Sequence, residues 1–187
     1  VYAKGESEKL TGSAIAATRD RWILATKVGN TVQPDVRNAG GLSRRWLAIA
    51  CDASLRRLGT DWIDIYYLHI DDNGTPVDEF VAALGDLIRA GKIRYFGVSN
   101  FRGWRIAEVV NSCDRLGVPR PIVCQPYYNL LNRQPEVEIL AACDHYGIGV
   151  ATYSPLARGV LTGKYAGGTV PADSRAARKD RRIMQTE

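Results

Sequence analysis

Short apolar runs alternate with longer stretches of helical spacing along most of this chain. Residues 22–28 (WILATKV) read as a strand ending near Lys27. Within residues 43–58, Leu47, Cys51, Ser54, Leu55 and Leu58 share one helical face, and Gly59 is placed to stop the helix. Residues 62–69 form the next strand. Thr75, Pro76, Val77 and Asp78 match a capping box with proline at the first helical position. Phe80, Val81, Leu84, Leu87 and Ile88 give the helix that follows a buried stripe, which ends at Gly91. Further strands are predicted at 94–98, 122–125 and 148–153, and helices at 103–116 and 135–146, the latter closed by Gly147. A helix over 5–18 precedes the first strand.

Strands that alternate with helices imply parallel strands joined by helical crossovers. The run IDIYYL, residues 63–68, shows little polar alternation, as strands covered on both faces do. Each strand delivers one polar or hydrogen-bonding residue at its carboxyl end: Lys27, His69, Ser99, Gln125 and Tyr153. In a parallel barrel all those ends open onto one face, where active sites lie. An open doubly wound sheet would spread them along an edge. No GxGxxG follows a strand and no GxxxxGK[ST] occurs, so the barrel is the better reading. The predicted fold is α/β, a parallel (β/α)8 TIM barrel of which about five strand–helix units are present. A whole barrel takes about 250 residues, and the chain has 187. The expectation is therefore a single, partial barrel domain over 1–187, with 166–187 as a basic, flexible loop, belonging to a longer protein.

Composition narrows the function classes. A hydrophobic content of 45% allows a sizeable core. No apolar run approaches the roughly 20 residues that span a bilayer, and the opening VYAKG does not read as a signal peptide. Cys51, Cys113, Cys124 and Cys143 form no CxxC pair and sit in apolar stretches, as reduced core thiols of a cytoplasmic protein do. The formal charge of +5 is uneven, with Arg175, Arg178, Lys179, Arg181 and Arg182 crowded near the end. No aromatic residues interleave with them, which favours a solvated tail over a nucleic-acid contact. Neither a membrane nor a nucleic-acid partner is expected, and the oligomeric state stays open.

The residues alone leave the candidate chemistry divided. His69 fits a core residue, a metal ligand or a proton carrier. Asp71 and Asp72 beside it suggest a metal, but the other histidine, His145, lies at a different helix end, so no metal site is expected. Lys27 fits a Schiff-base lysine or a cationic partner. Ser99 and Asn100 could cap the following helix. Gln125 could be a satisfied buried amide and Tyr153 plain core packing.

Five segments occur in order: ILATKVGN, IDIYYLHIDD, GKIRYFGVSNF, CQPYYNLLNR and YSPLARGVLTGKY. Together they resemble the aldo-keto reductases, most of all the bacterial branch related to potassium-channel β subunits, from residue 1 through Tyr165. The resemblance implies a (β/α)8 barrel that uses NADPH to reduce an aldehyde or ketone. It implies a catalytic set of tyrosine, lysine, histidine and aspartate. Tyr2 in VYAKGESE, Lys27 and His69 match the first three, and the aspartate would fall before Val1. Ser99, Asn100, Gln125 and Tyr153 match the nicotinamide contacts. Ser154, Pro155, Leu156, Gly159 and Leu161 match the loop along the pyrophosphate. The reader of the 2′-phosphate would fall past Glu187, so NADPH over NADH is implied by the family alone. Residues 29–41 form a turn-rich loop expected near the pocket mouth, with Asn30, Trp104, Tyr127 and Tyr128 as candidates for its lining.

The implied chemistry suits these side chains. Hydride addition builds negative charge on a carbonyl oxygen, which needs a proton donor held ready. A free phenol releases its proton only near pH ~10, and a nearby ammonium stabilises the phenolate. An imidazole can orient the carbonyl and share the proton. Two other readings stay open: a non-catalytic barrel that binds nucleotide or a partner, as a channel β subunit would, and a lyase acting through Lys27.

Overall fold

The computed structural model describes residues 2–31 and 36–178. Val1 and the basic residues Lys179, Arg181 and Arg182 lie outside them. In chain order the elements are α1 (Glu6–Ile15), β1 (Ala25–Val28), α2 (Arg44–Leu58), β2 (Ile63–Leu68), α3 (Val77–Arg89), β3 (Ile93–Ser99), α4 (Gly103–Leu116), β4 (Val123–Gln125), α5 (Ile139–Tyr146) and β5 (Gly149–Val150). The five strands form one parallel sheet in sequential order. This is the five-unit partial barrel that the alternation predicts.

Strand pleating sorts the side chains. Val28, Tyr66, Leu68, Phe96, Val98 and Cys124 are buried and join one apolar cluster with Leu47 and Cys51 of α2, Phe80 and Leu84 of α3, and Ile106 and Val110 of α4. The alternate positions Lys27, Tyr67, Gly97, Val123 and Gly149 are in register across all five strands and form one layer on the other face. All four cysteines are buried and unpaired. Cys51 and Cys113 are each pushed up to about 12, burial being the main cause.

Several boundaries differ from expectation, each for a local reason. The first strand starts at Ala25 because the Asp64 carboxylate takes the Leu24 N–H at 2.9 Å, and Arg19 clamps the same carboxylate at 2.7 Å. The leading helix ends at Ile15 and continues as a 3₁₀ stretch, Ala16–Arg21. No capping box forms before α3. Pro76 is the N-cap rather than the first helical residue, and the Thr75 hydroxyl donates instead to Asp72 at 2.6 Å. The helix expected over 135–146 breaks at Glu138, whose φ of −144° is not helical, into a 3₁₀ turn (Gln134–Glu136) and α5. The fifth strand is only Gly149–Val150. Its ladder thins to single bonds, Ala151 N–H to Cys124 O and Tyr153 N–H to Pro126 O, because Pro126 has no N–H to return.

Helices α1 and α2 meet backbone to backbone at Gly12. A Cβ there would lie 2.2 Å from the Leu58 carbonyl oxygen, which belongs to α2 and cannot rotate away. Gly12→Ala should therefore destabilise the fold by at least about 1–3 kcal/mol, read as a lower urea midpoint. An unchanged midpoint would mean that the two helices are not held this close.

Candidate active site

Tyr2 stands at the head of a tight turn, Tyr2–Gly5, in which Ala3 (φ 47°), Lys4 (φ 54°) and Gly5 (φ 100°) are all left-handed. Two non-glycine residues in that region are costly to hold. The turn sets the phenol ring 5.9 Å, centre to centre, from the imidazole of His69. Lys27 reaches the same place from β1, its Nζ 5.6 Å from the Tyr2 ring centre and 5.3 Å from the Tyr67 ring centre. Tyr67 can lie beneath Lys27 because its in-register neighbour is Gly97. A Cβ at Gly97 would come within 2.8 Å of the Tyr67 ring and 2.7 Å of the Val123 carbonyl. Three elements far apart in sequence thus bring a phenol, an ammonium and an imidazole together.

Burial lowers the pKa of Lys27, and among the described residues it has no carboxylate partner. His69 is pushed down from 6.5 to about 4, first by burial and then by the Lys27 ammonium. The folded ring is neutral over a range in which the unfolded ring takes up a proton. Stability should therefore fall as pH drops from about 6.5 towards about 4 and be level above that window. Denaturant midpoints across the window test this, and His69→Gln should flatten the slope.

His69 is pinned from both sides. Its backbone N–H donates to the Val28 carbonyl at 2.8 Å, and its carbonyl accepts from the Asn100 amide at 2.9 Å. Its Nδ1 lies 3.0 Å from the Asn30 amide nitrogen. Asn100, at φ 60°, also donates to Ser99 Oγ at 3.2 Å and accepts from the Tyr153 hydroxyl at 2.9 Å. Ser99 Oγ donates to the Gln125 carbonyl at 2.8 Å. One amide side chain therefore ties together the ends of β2 and β3 and the segment after β5. Neither Ser99 nor Asn100 caps α4, whose N-cap is Arg102, so the capping alternative does not hold.

The remaining candidates follow that rim. The Tyr153 ring is half-buried and packs on Tyr127 at 5.3 Å, where the two residues form an isolated parallel bridge. After it, Ser154 (φ 54°), Ala157 (φ 44°), Arg158 (φ 57°) and Gly159 (φ 105°) make a run of left-handed turns. The exposed Leu156 closes bonds to Gly159 and Leu161 through its carbonyl. Pro155 lies at a surface groove. Among the expected pocket residues, Asn30 and Tyr127 join the site. Tyr128 turns away to donate to Glu136 at 2.6 Å, and Trp104 packs against the Arg105 guanidinium at 5.8 Å. Asp71 pairs with Arg105 at 3.0 Å, and Asp72 accepts from Leu42 N–H, Gly74 N–H and the Thr75 hydroxyl. Both carboxylates are structural ties of the loop. Tyr67 and Gly97 escape a motif reading because their roles arise from cross-strand register alone.

A cavity of about 240 Å³ opens beside Lys27, Asn30 and His69, with Trp46, Ala50 and Ala53 of α2 on its far wall. The groups along the rim between Ser99 and Tyr153 are of the kind that would suit a planar ring bearing a carboxamide. Ser99, Asn100 and Gln125 supply a hydroxyl and two amides at neighbouring strand ends, and Tyr153 supplies an aromatic face held by its bond to Asn100.

Residues 1–186 match the family described as "Aldo/keto reductase family". The chain is 40% identical over 183 residues to the "Probable voltage-gated potassium channel subunit beta" of Arabidopsis thaliana, covering 95% of this chain and 55% of that protein. It is 36% identical over 176 residues to the "L-glyceraldehyde 3-phosphate reductase" of Escherichia coli (strain K12), covering 94% of this chain and 50% of that one. It is 35% identical over 173 residues to the human "Aflatoxin B1 aldehyde reductase member 2", covering 88% of this chain and 45% of that one. The chain thus spans about half the length of the curated relatives it matches.

Proposed function

Because this chain belongs to the aldo/keto reductase family, we propose that it carries the proton-donating half of an NADPH-dependent carbonyl reductase site. The observation that carries this reading is that the Tyr2 ring lies 5.9 Å from the His69 ring and 5.6 Å from Lys27 Nζ. NADPH, when bound, supplies a hydride to the carbonyl carbon. As charge builds on the oxygen, the Tyr2 hydroxyl gives up its proton to it. The Lys27 ammonium stabilises the phenolate left behind. His69, neutral at physiological pH, orients the carbonyl through a hydrogen bond.

Ser99, Asn100 and Gln125 would hold the carboxamide of the cofactor, and Tyr153 would pack on its ring. Ser154, Pro155, Leu156, Gly159 and Leu161 would follow its pyrophosphate. The substrate in this reading is an aldehyde or ketone, with the cavity beside Lys27 and His69 adjoining the reacting groups. Among the described residues no helix is long and apolar enough to cross a membrane. The four unpaired thiols support a reducing, cytoplasmic setting. We take residues 1–187 as part of a single barrel domain, with a basic stretch of sequence from Ala166 onward.

The test is NADPH oxidation by the purified protein with an activated aldehyde such as a nitrobenzaldehyde, alongside quenching of protein fluorescence by NADPH. Turnover supports the reading. The similarity to a channel β subunit favours a second reading, a nucleotide- or partner-binding barrel, which predicts quenching without turnover. The depressed pKa of Lys27 also suits a Schiff-base lyase, and borohydride trapping of substrate on Lys27 would establish that instead.

A further inference from the structure

We propose that Asn30 is a positioning residue that holds His69 in its Nε2–H tautomer, so that the ring offers the reacting oxygen a neutral N–H donor. The inference rests on the reductase reading above for its catalytic half, and on geometry alone for its tautomer.

The Asn30 amide nitrogen lies 3.0 Å from His69 Nδ1. With the amide nitrogen turned to the ring, the contact is a hydrogen bond only if Nδ1 accepts it through its lone pair. In a neutral imidazole the single proton then sits on Nε2. Burial and the Lys27 ammonium keep the ring neutral near physiological pH, so which nitrogen bears the proton decides what it can do. An imidazolium would set Nδ1–H against the amide N–H, donor against donor. Asn30 therefore opposes protonation as well as choosing the tautomer.

The fold builds this contact deliberately around one turn. Asn30 follows β1 by two residues, after Gly29 at φ 123°. The Gly29 carbonyl, just before Asn30, accepts from Gly41 N–H at 2.8 Å, which ties the two glycines together. A Cβ at Gly29 would also press on Ile70, at 3.2 Å, beside His69 itself. Among the described residues, the groups that face His69 are Lys27 from β1, Tyr2 from the opening turn, Asn30 from this loop and Asn100 from the end of β3. Of these only Asn30 hydrogen-bonds a ring nitrogen among the described residues.

The experiment is two-bond proton–nitrogen NMR of the imidazoles near neutral pH. The chain has two histidines, His69 and His145, so His145→Gln assigns the spectrum. The wild-type protein should show His69 with Nε2 protonated and Nδ1 bare. Asn30→Leu removes the donor and should give a mixture of tautomers. Asn30→Asp places an acceptor at Nδ1 and should move the proton there and raise the apparent pKa of the ring. In both variants kcat should fall by about 10- to 100-fold with little change in the KM for NADPH. A wild-type His69 with Nδ1–H, or as imidazolium, overturns the inference without any variant needing to fold. So does an Asn30→Leu spectrum identical to wild type. A shifted tautomer with unchanged kcat overturns the catalytic half. Wild-type protein with no carbonyl reduction would remove the reductase reading and leave the tautomer assignment intact.

Discussion

Tyr2→Phe should lower kcat by about 10²- to 10⁴-fold, the usual worth of a positioned general acid, while NADPH binding and stability stay as in the wild type. On the proposed reductase reading the phenol carries the transferable proton, and phenylalanine keeps the ring near His69 but has no proton to give. Stability should hold because Tyr2 is 59% exposed and its side chain is not part of the buried cluster. The turn that presents it owes its shape to the backbone of Ala3, Lys4 and Gly5, which the substitution leaves alone. The measurements are steady-state kinetics, fluorescence titration with NADPH and a thermal melt. A fall of less than tenfold would mean that another group delivers the proton. With His69 neutral and its Nδ1 engaged by Asn30, the alternative donor would be its Nε2–H, and a Tyr2→Phe, His69→Gln double variant would expose it.

Lys27→Met should cost about 10²- to 10³-fold in kcat, the scale of a lost charge-stabilising group, yet leave the protein as stable or more so. The two effects have opposite signs for one reason. A half-buried ammonium with no carboxylate partner among the described residues costs desolvation energy in the resting fold, as its lowered pKa records. In the proposed mechanism the same charge would be useful only when negative charge develops on the phenol beside it, 5.6 Å from ring centre to Nζ. Methionine fills much of the space against Tyr67 without that cost. Kinetics and urea denaturation of one variant test both halves. A marked loss of stability together with activity would make Lys27 a structural residue and remove it from the site.

How far these residues could be read from the chain depends on the range of the interactions that place them. Helix α4, Gly103–Leu116, falls where its periodicity puts it, because apolar spacing and a following glycine act within a few turns. The capping box before α3 matched a motif but did not form. Asp72, three residues ahead of Thr75, takes the hydroxyl that the cap needed, while also accepting the N–H of Leu42 from a distant loop. Strand β5 shortens because its neighbour carries Pro126, a partner that periodicity within residues 148–153 cannot reveal. Ser99 and Asn100 looked equally like a helix cap until Asn100 was seen joined to His69 and Tyr153.

By itself the amino-acid sequence determined the element order, the parallel barrel class, the polar residue at each strand end and, through five motifs, the family. Those are local or pattern-level properties, set by spacing and composition along a short stretch. Only the tertiary structure decided that Tyr2, Lys27 and His69 stand together, that Gly97 makes room for Tyr67 beneath the lysine, and that Asn30 takes hold of one imidazole nitrogen. Those facts depend on strand register and on a loop folding back across dozens of residues, where the deciding forces are contacts between segments that no single segment encodes.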